Sequence, residues 1–213
     1  VPFDPLLETT LLVAVTKDMF TSDNIDENDL NWLKSIGFDA SVGSIGFIND
    51  GNGQVVRIYI GTGSSLTNPW WLATVVGKLP EGKYSLATMG VETEAQLALG
   101  WVLAQYQFDR YKSDQNLGFR TLMLSSGVDL DVIIAKAEAV FLIRDLVNTP
   151  AEDMGPSELQ DWAEALAEEF GARSETIVGD DLLDENFPII HAVGRAASEK
   201  NAPRLIELSW GRK

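Results

Sequence analysis

The sequence predicts an α/β fold: a mostly parallel sheet flanked by helices, followed by a linker helix and a second, truncated α/β unit. Three observations predict it. Short aliphatic runs alternate with helical periodicities over residues 1–130, the pattern of helices layered on a parallel sheet. A long, nearly all-apolar helical stretch follows at 131–147. Beyond it lie one amphipathic helix and three short strand-like runs, too little to bury a core alone.

Taken in order, Leu11–Val15 is a five-residue aliphatic run, long enough for a buried strand. Asp26–Ile36 reads as a short helix. Gln54–Ile60 alternates β-branched residues, and the preceding Asn49-Asp50-Gly51-Asn52-Gly53 supplies the residues of a tight turn. Pro69–Leu79 reads as a Trp-rich helix with Asn68 as N-cap and proline at its first position. Tyr84–Met89 is a strand. Glu92–Lys112 is the strongest helix, because Leu97, Trp101, Ala104, Phe108 and Tyr111 fall on one stripe. Gly100 within it marks close packing. Arg120–Ser125 returns as a strand.

Asp131–Val147 is a second long helix with a narrow polar face. Asn148 is expected in a left-handed cap, and Thr149 before Pro150 disfavours further helix. The domain boundary is placed there. Ser157 and Gln160 then read as a capping-box pair for a helix whose one face carries Leu159, Trp162, Ala163, Leu166 and Phe170, ended by Gly171. Strands are expected at Glu175–Val178, Ile189–Val193 and Arg204–Trp210.

Composition removes whole classes of chemistry. Sixteen basic residues against 32 acidic ones leave a net charge of -16, so nucleic acid and anionic membrane are not expected partners. The absence of cysteine excludes thiol catalysis, disulfides and cysteine-based metal sites, and a single histidine excludes a two-histidine site. No run reaches the ~18 apolar residues of a membrane helix. Val1-Pro2-Phe3-Asp4-Pro5 lacks the basic and apolar regions of a secretory signal, and a cytoplasmic location is expected. The chain lacks an initial Met and stops at Arg212-Lys213 directly after a strand-like run, so a processed or engineered piece is expected.

Gly61-Thr62-Gly63-Ser64-Ser65 follows a strand and precedes a helix, where a phosphate-cradling loop would sit. It lacks the third glycine of a dinucleotide fingerprint and the lysine of a P-loop, so an ordinary strand–helix turn is favoured. Asp180, Asp181, Asp184 and Glu185 could face a hard cation, but Leu182 and Leu183 at helical spacing favour a solvated helix face. Asp23–Asp29 lacks the glycine of a calcium loop. His191, inside Ile189–Val193, reads as a core or interface histidine. Ser41, Ser44 and the pair Ser125-Ser126 have no plausible histidine base. Of the six tryptophans, Trp101 and Trp162 lie on apolar stripes, and Trp70-Trp71 is the one pair expected to be exposed.

Three stretches carry a resemblance. Leu97-Ala98-Leu99-Gly100 with Tyr106-Gln107-Phe108-Asp109-Arg110-Tyr111-Lys112 resembles the "G…YxFdrYk" helix of the leucyl (cytosol) aminopeptidases. Ile143-Arg144-Asp145-Leu146-Val147-Asn148-Thr149-Pro150, followed by Met154-Gly155-Pro156, is similar to their "vRdLvNtPandmgP" junction. Ala192-Val193-Gly194-Arg195-Ala196 through Ala202-Pro203-Arg204-Leu205-Ile206-Glu207-Leu208 resembles their "aVGrgs…pPrlieL" segment. Order and spacing match across roughly residues 90–210.

The resemblance implies a macro-domain-like N-terminal domain at 1–130, a linker helix at 131–150 and the start of a catalytic domain at 151–213. In the family, two divalent metals (Zn²⁺ or Mn²⁺), held by one lysine and several carboxylates, activate water against the N-terminal peptide bond of a peptide. An arginine or bicarbonate handles the proton, and the family usually forms hexamers. The metal-binding "GKGxxFDTGG" and "NTDAEGR" stretches lie further along in the family, and neither occurs in this sequence. No catalytic, cofactor-binding or metal residue therefore carries over to a numbered position. The expectation is an inactive N-terminal fragment of a leucyl-type aminopeptidase, without metals of its own, serving assembly and substrate access. The alternative is a non-catalytic, macro-like nucleotide- or ligand-binding module with its pocket near Gly61–Ser65. A third reading is a regulatory or assembly domain; some family members bind DNA through this region, which the charge of -16 disfavours here.

Overall fold

The structure, a computed structural model, describes residues 8–22, 25–87, 90–112 and 118–211. The expectations for Val1–Pro5, Asp23, Met89 and Arg212-Lys213 fall on positions outside the described residues. The chain divides into two compact units, Val1–Leu142 and Ile143–Lys213.

The first unit is built on β1 (Thr10–Thr16), the central strand of a five-stranded sheet. After β1 come α1 (Lys17–Thr21) and α2 (Glu27–Ser35), then β2 (Ile45–Asn49) and β3 (Val55–Gly63). Next are β4 (Gly82–Leu86), α3 (Val91–Leu103), β5 (Arg120–Met123) and the start of α4 (Leu130–Asn148). The strand order is β2-β3-β1-β4-β5, parallel except for the β2–β3 hairpin. That hairpin closes as its sequence dictates: Asp50 Oδ1 accepts from the N–H groups of Asn52 and Gln54, both at 2.8 Å.

Alternation along the strands separates two cores. Leu12, Ala14, Ile58 and Ile60 point to the face that buries Leu97 and Trp101 of α3 and Ile133 of α4. Val15 and Tyr59 point to the other, against Leu33 of α2 and Phe38. A leucine such as Leu12 or Leu97, fully buried, contributes on the order of 1.5–3 kcal/mol. Helix α2 starts where expected, with Asp26 Oδ1 accepting from Asn28 N–H at 2.9 Å.

The second unit contains the end of α4, α5 (Pro156–Phe170), β6 (Arg173–Val178), α6 (Asp181–Asp184), α7 (Pro188–Gly194) and β7 (Arg204–Ser209). β6 and β7 form an antiparallel pair, Arg173 opposite Ser209 and Val178 opposite Arg204. Gly171 ends α5 in the left-handed conformation, φ 64°.

Five local expectations are corrected. Helix α3 stops at Leu103 rather than Lys112, because Trp101 Nε1 and Gln105 Nε2 both donate to the Arg120 carbonyl, at 3.0 and 3.2 Å. Phe108 and Tyr111 contact each other beyond its end, and Tyr106 contacts Phe141. Pro69–Leu79 forms two 3₁₀ turns, Pro69–Trp71 and Val76–Lys78. Asn68 does cap the first, but the Thr74 hydroxyl donates to the Trp71 carbonyl at 2.7 Å, a bond that competes with helical continuation. Ile189–Val193 is helical, started by Pro188 at the first position. Asn148 stays inside α4, and Thr149 closes that helix by donating its N–H and hydroxyl to the Asp145 carbonyl at 3.0 and 2.7 Å. The cap of α5 is Gly155, not Ser157: its N–H donates to Glu158 Oε2 at 3.0 Å.

Candidate functional site

The glycine segment does not make a phosphate loop. Gly61, Thr62 and Gly63 belong to β3, pairing alongside Val15 and Thr16, and all three are buried. Gly61 is required by close approach: a Cβ there would lie 2.2 Å from the Ser41 carbonyl oxygen and 2.6 Å from the Ala40 carbonyl carbon. The loop 39–44 crosses β3 at this point, with Ala40 itself at φ 56° and Gly43 N–H donating to the Gly61 carbonyl.

Ser41, Ser44 and Ser125 are occupied by structural bonds. Ser41 donates its hydroxyl to Asp39 at 2.6 Å, and Ser44 donates to the Ser41 carbonyl at 2.8 Å. These two bonds from Ser41, side chain first and then backbone, hold the Asp39 carboxyl below its ordinary range. Ser125 donates to buried Glu94.

The acidic candidates do not converge either. In α6, Leu182 is fully buried while Asp181 and Asp184 face outward. Asp29 turns inward, where it pairs with Arg57 and accepts from the Tyr59 hydroxyl at 2.8 Å. Burial pushes the Tyr59 phenol up from its usual value. This Asp29–Arg57–Tyr59 group pins α2 to the sheet; its members lie 28 and 2 residues apart, and no sequence spacing announces it. His191 is on a helix, not a strand, with its Nε2 3.0 Å from Asp180 Oδ1. Among the described residues no group of three or more His, Asp or Glu is placed to hold a metal ion.

The tryptophan pair is split: Trp71 is buried, whereas Trp70 is half exposed over Gly100. No helix among the described residues is long and apolar enough to cross a membrane.

What sequence reasoning missed is a crevice of about 500 Å³ between β1 and the segments that follow β3 and β4. Val13 and Ala14 of β1, Met19 of α1, Leu66 and Trp71 beyond β3 and Thr93 of α3 are among the residues that line it. The strand order turns here, since β1 has β3 on one side and β4 on the other. Open α/β sheets bind ligands at such switch points. Its lining comes from segments well separated in sequence, which explains why no local motif marks it.

In the second unit the geometry is that of a clamp. Glu158 Oε1 meets Lys200 Nζ at 2.5 Å, and Arg204 Nη1 donates to Gln160 Oε1 at 2.6 Å. Together these fasten the first turns of α5 to the turn Glu199–Asn201 and to β7. The Lys200 ammonium holds the Glu158 carboxyl down to about 2.

Comparison with known proteins places both units. The family model for the N-terminal domain of M17 aminopeptidases matches residues 12–124, and that for the catalytic domain of the cytosol aminopeptidase family matches 141–213. A "probable cytosol aminopeptidase" of Wolinella succinogenes is 29% identical over 224 aligned residues, covering 95% of this chain and 44% of that protein. One of the same name from Aeropyrum pernix is 30% identical over 138 residues, covering 64% of this chain and 28% of its own. The crystal structure of cytosol aminopeptidase from Coxiella burnetii superimposes with a TM-score of 0.86 at 31% identity, over all of this chain and 46% of that one. The bottromycin maturation enzyme BotP in complex with Mn shares the fold at 22% identity and a TM-score of 0.72. The chain thus spans less than half the length of these relatives.

Proposed function

This chain belongs to the M17, or cytosol, aminopeptidase family, and from that premise we propose that it supplies the N-terminal domain and the opening of the catalytic domain of a metal-dependent aminopeptidase that removes N-terminal residues from peptides. The observation that carries this reading is order along the chain: the N-terminal family model ends at residue 124 and the catalytic one begins at 141, across α4. In this reading residues 1–130 are the N-terminal domain, 131–150 the linker helix and 151–213 the first part of the catalytic domain. A cytoplasmic location and a hexameric assembly belong to the same proposal.

The described residues do not fit a pair of divalent metals, since no three of their carboxylates and histidines converge on one point. No catalytic step is therefore assigned to them. Their part is structural: the sheet unit serves assembly and substrate access, and the Glu158–Lys200 clamp fixes the entry to the catalytic domain.

The test is release of p-nitroaniline from leucine p-nitroanilide with Mn²⁺ or Zn²⁺. The purified 213-residue chain is expected to release none, whereas a longer protein carrying it ahead of a family catalytic domain cleaves. Turnover by the 213-residue chain would overturn its inactivity. Silence of the longer, metal-loaded protein would overturn the aminopeptidase reading.

A further inference from the structure

We infer that the crevice between β1 and the segments that follow β3 and β4 is a binding site for a small uncharged molecule with an apolar group. The first unit closes its cores thoroughly, with Leu12, Ile58, Ile60 and Leu97 at zero exposure. Beside this crevice, in contrast, Leu66 and Met19 remain partly wet around about 500 Å³ of open space. That volume falls within the ~300–1,000 Å³ of small-molecule sites, and its location is the switch point of the sheet.

The lining chooses the chemistry. Its lining is aliphatic, thioether and indole with two threonines, Thr67 and Thr93, and no charged side chain is among the described lining residues. Glu92 stands exposed in the first turn of α3 beside Thr93, and the chain carries -16 overall. A phosphorylated or carboxylated ligand would meet repulsion without a compensating cation. An uncharged one meets the apolar lining without that repulsion.

The test is titration of the ¹⁵N-labelled 213-residue chain, followed by NMR, with adenosine, N-acetyl-leucinamide and AMP. A neutral heterocycle and a neutral aliphatic amide are thereby distinguished. At least one neutral probe is expected to shift the amides of Ala87, Gly90 and Thr93, with a dissociation constant of about 0.1–1 mM. AMP is expected to bind at least about fivefold more weakly than adenosine. Ala87→Leu, which fills the crevice, should abolish the shifts. Thr93→Lys, at an exposed position that leaves the core untouched, should remove the penalty on AMP. No response to either neutral probe at about 5 mM overturns the proposal, as does AMP binding more tightly than adenosine to the unmodified chain. Both readouts are independent of peptide hydrolysis, so failure here leaves the aminopeptidase reading standing and the reverse also holds.

Discussion

The carboxylate of Glu94 takes two hydrogen bonds from Ser125, 2.7 Å from its backbone N–H and 2.6 Å from its hydroxyl. Glu94 is buried in the first turn of α3, and Ser125 opens the turn between β5 and α4. One side chain therefore ties the helix crossing the sheet to the segment that leads into the long helix.

Removing that tie should be costly. Hydrogen bonds to an ionised acceptor contribute roughly 1.5–3 kcal/mol each, and truncation also leaves a donor unpaired. Glu94→Ala is expected to lower the unfolding free energy of the sheet unit by about 2–4 kcal/mol, read as a shift in urea midpoint. Glu94→Gln, which keeps an acceptor oxygen, should lose less. Equal losses for the two variants would mean that packing, not the bonds to Ser125, is responsible.

Gly61 supplies a sharper test. Its added Cβ would collide with backbone atoms of residues 40 and 41, which cannot swing aside as a side-chain end can. Gly61→Ala should destabilise by about 1–3 kcal/mol or more. Gly51→Ala, in the β2–β3 turn with nothing within 4 Å of its Cβ, should leave the urea midpoint nearly unchanged. Tolerance of Gly61→Ala would mean that the loop 39–44 does not lie on β3.

The same glycine shows what sequence could and could not deliver. The five-residue aliphatic run at Leu11–Val15, the short helix read at Asp26–Ile36, the Asp50 turn and the Gly171 stop are local signals, and each became the element expected. Gly61 looked like a loop residue because its need for bareness comes from Ser41, twenty positions away. The end of α3 depends on the Arg120 carbonyl, again distant in sequence. Ile189–Val193 is a short apolar run, for which strand and helix cannot be separated by periodicity; Pro188 decides for helix. The crevice was illegible for the same reason as Gly61, being assembled only when segments well separated in sequence meet.

The Glu158–Lys200 pair makes stability depend on acid. Its hydrogen bond and charge lower the Glu158 carboxyl from an ordinary 4.5 to about 2 in the folded chain. A depressed folded value means the stabilisation is present above the ordinary value and is lost as pH falls toward the folded one. The stability difference between the unmodified chain and Glu158→Gln should be steady above about pH 5 and close as pH approaches about 2. Lys200, raised by the same partner, sets the opposite limit: its contribution is present below the ordinary lysine value of 10.5 and fades as pH rises through the raised one. Urea midpoints measured across this range for both proteins decide it. A gap that stays constant into strong acid would assign the effect to the cap at Gly155 rather than to the ion pair.

The second unit leaves its helix uncovered. The stripe on α5 is helical as its spacing requires, but Leu159, Trp162 and Phe170 are 47%, 39% and 60% exposed. β6 and β7 form a sheet of only two strands, which is marginal without further cover. Ser174 and Thr176, two apart on β6, keep buried hydroxyl oxygens with no hydrogen-bond partner. Apolar stripes and unpaired strand edges favour association. The isolated chain is therefore expected to show a concentration-dependent sedimentation coefficient, or weak hydrogen-exchange protection across residues 151–213. Leu159→Glu with Phe170→Glu, both at exposed positions, should return the sample to a monomer without loss of helix content. A strictly monomeric chain with uniform protection across both units would contradict this, and would mean that the α5 stripe is stable in water by itself.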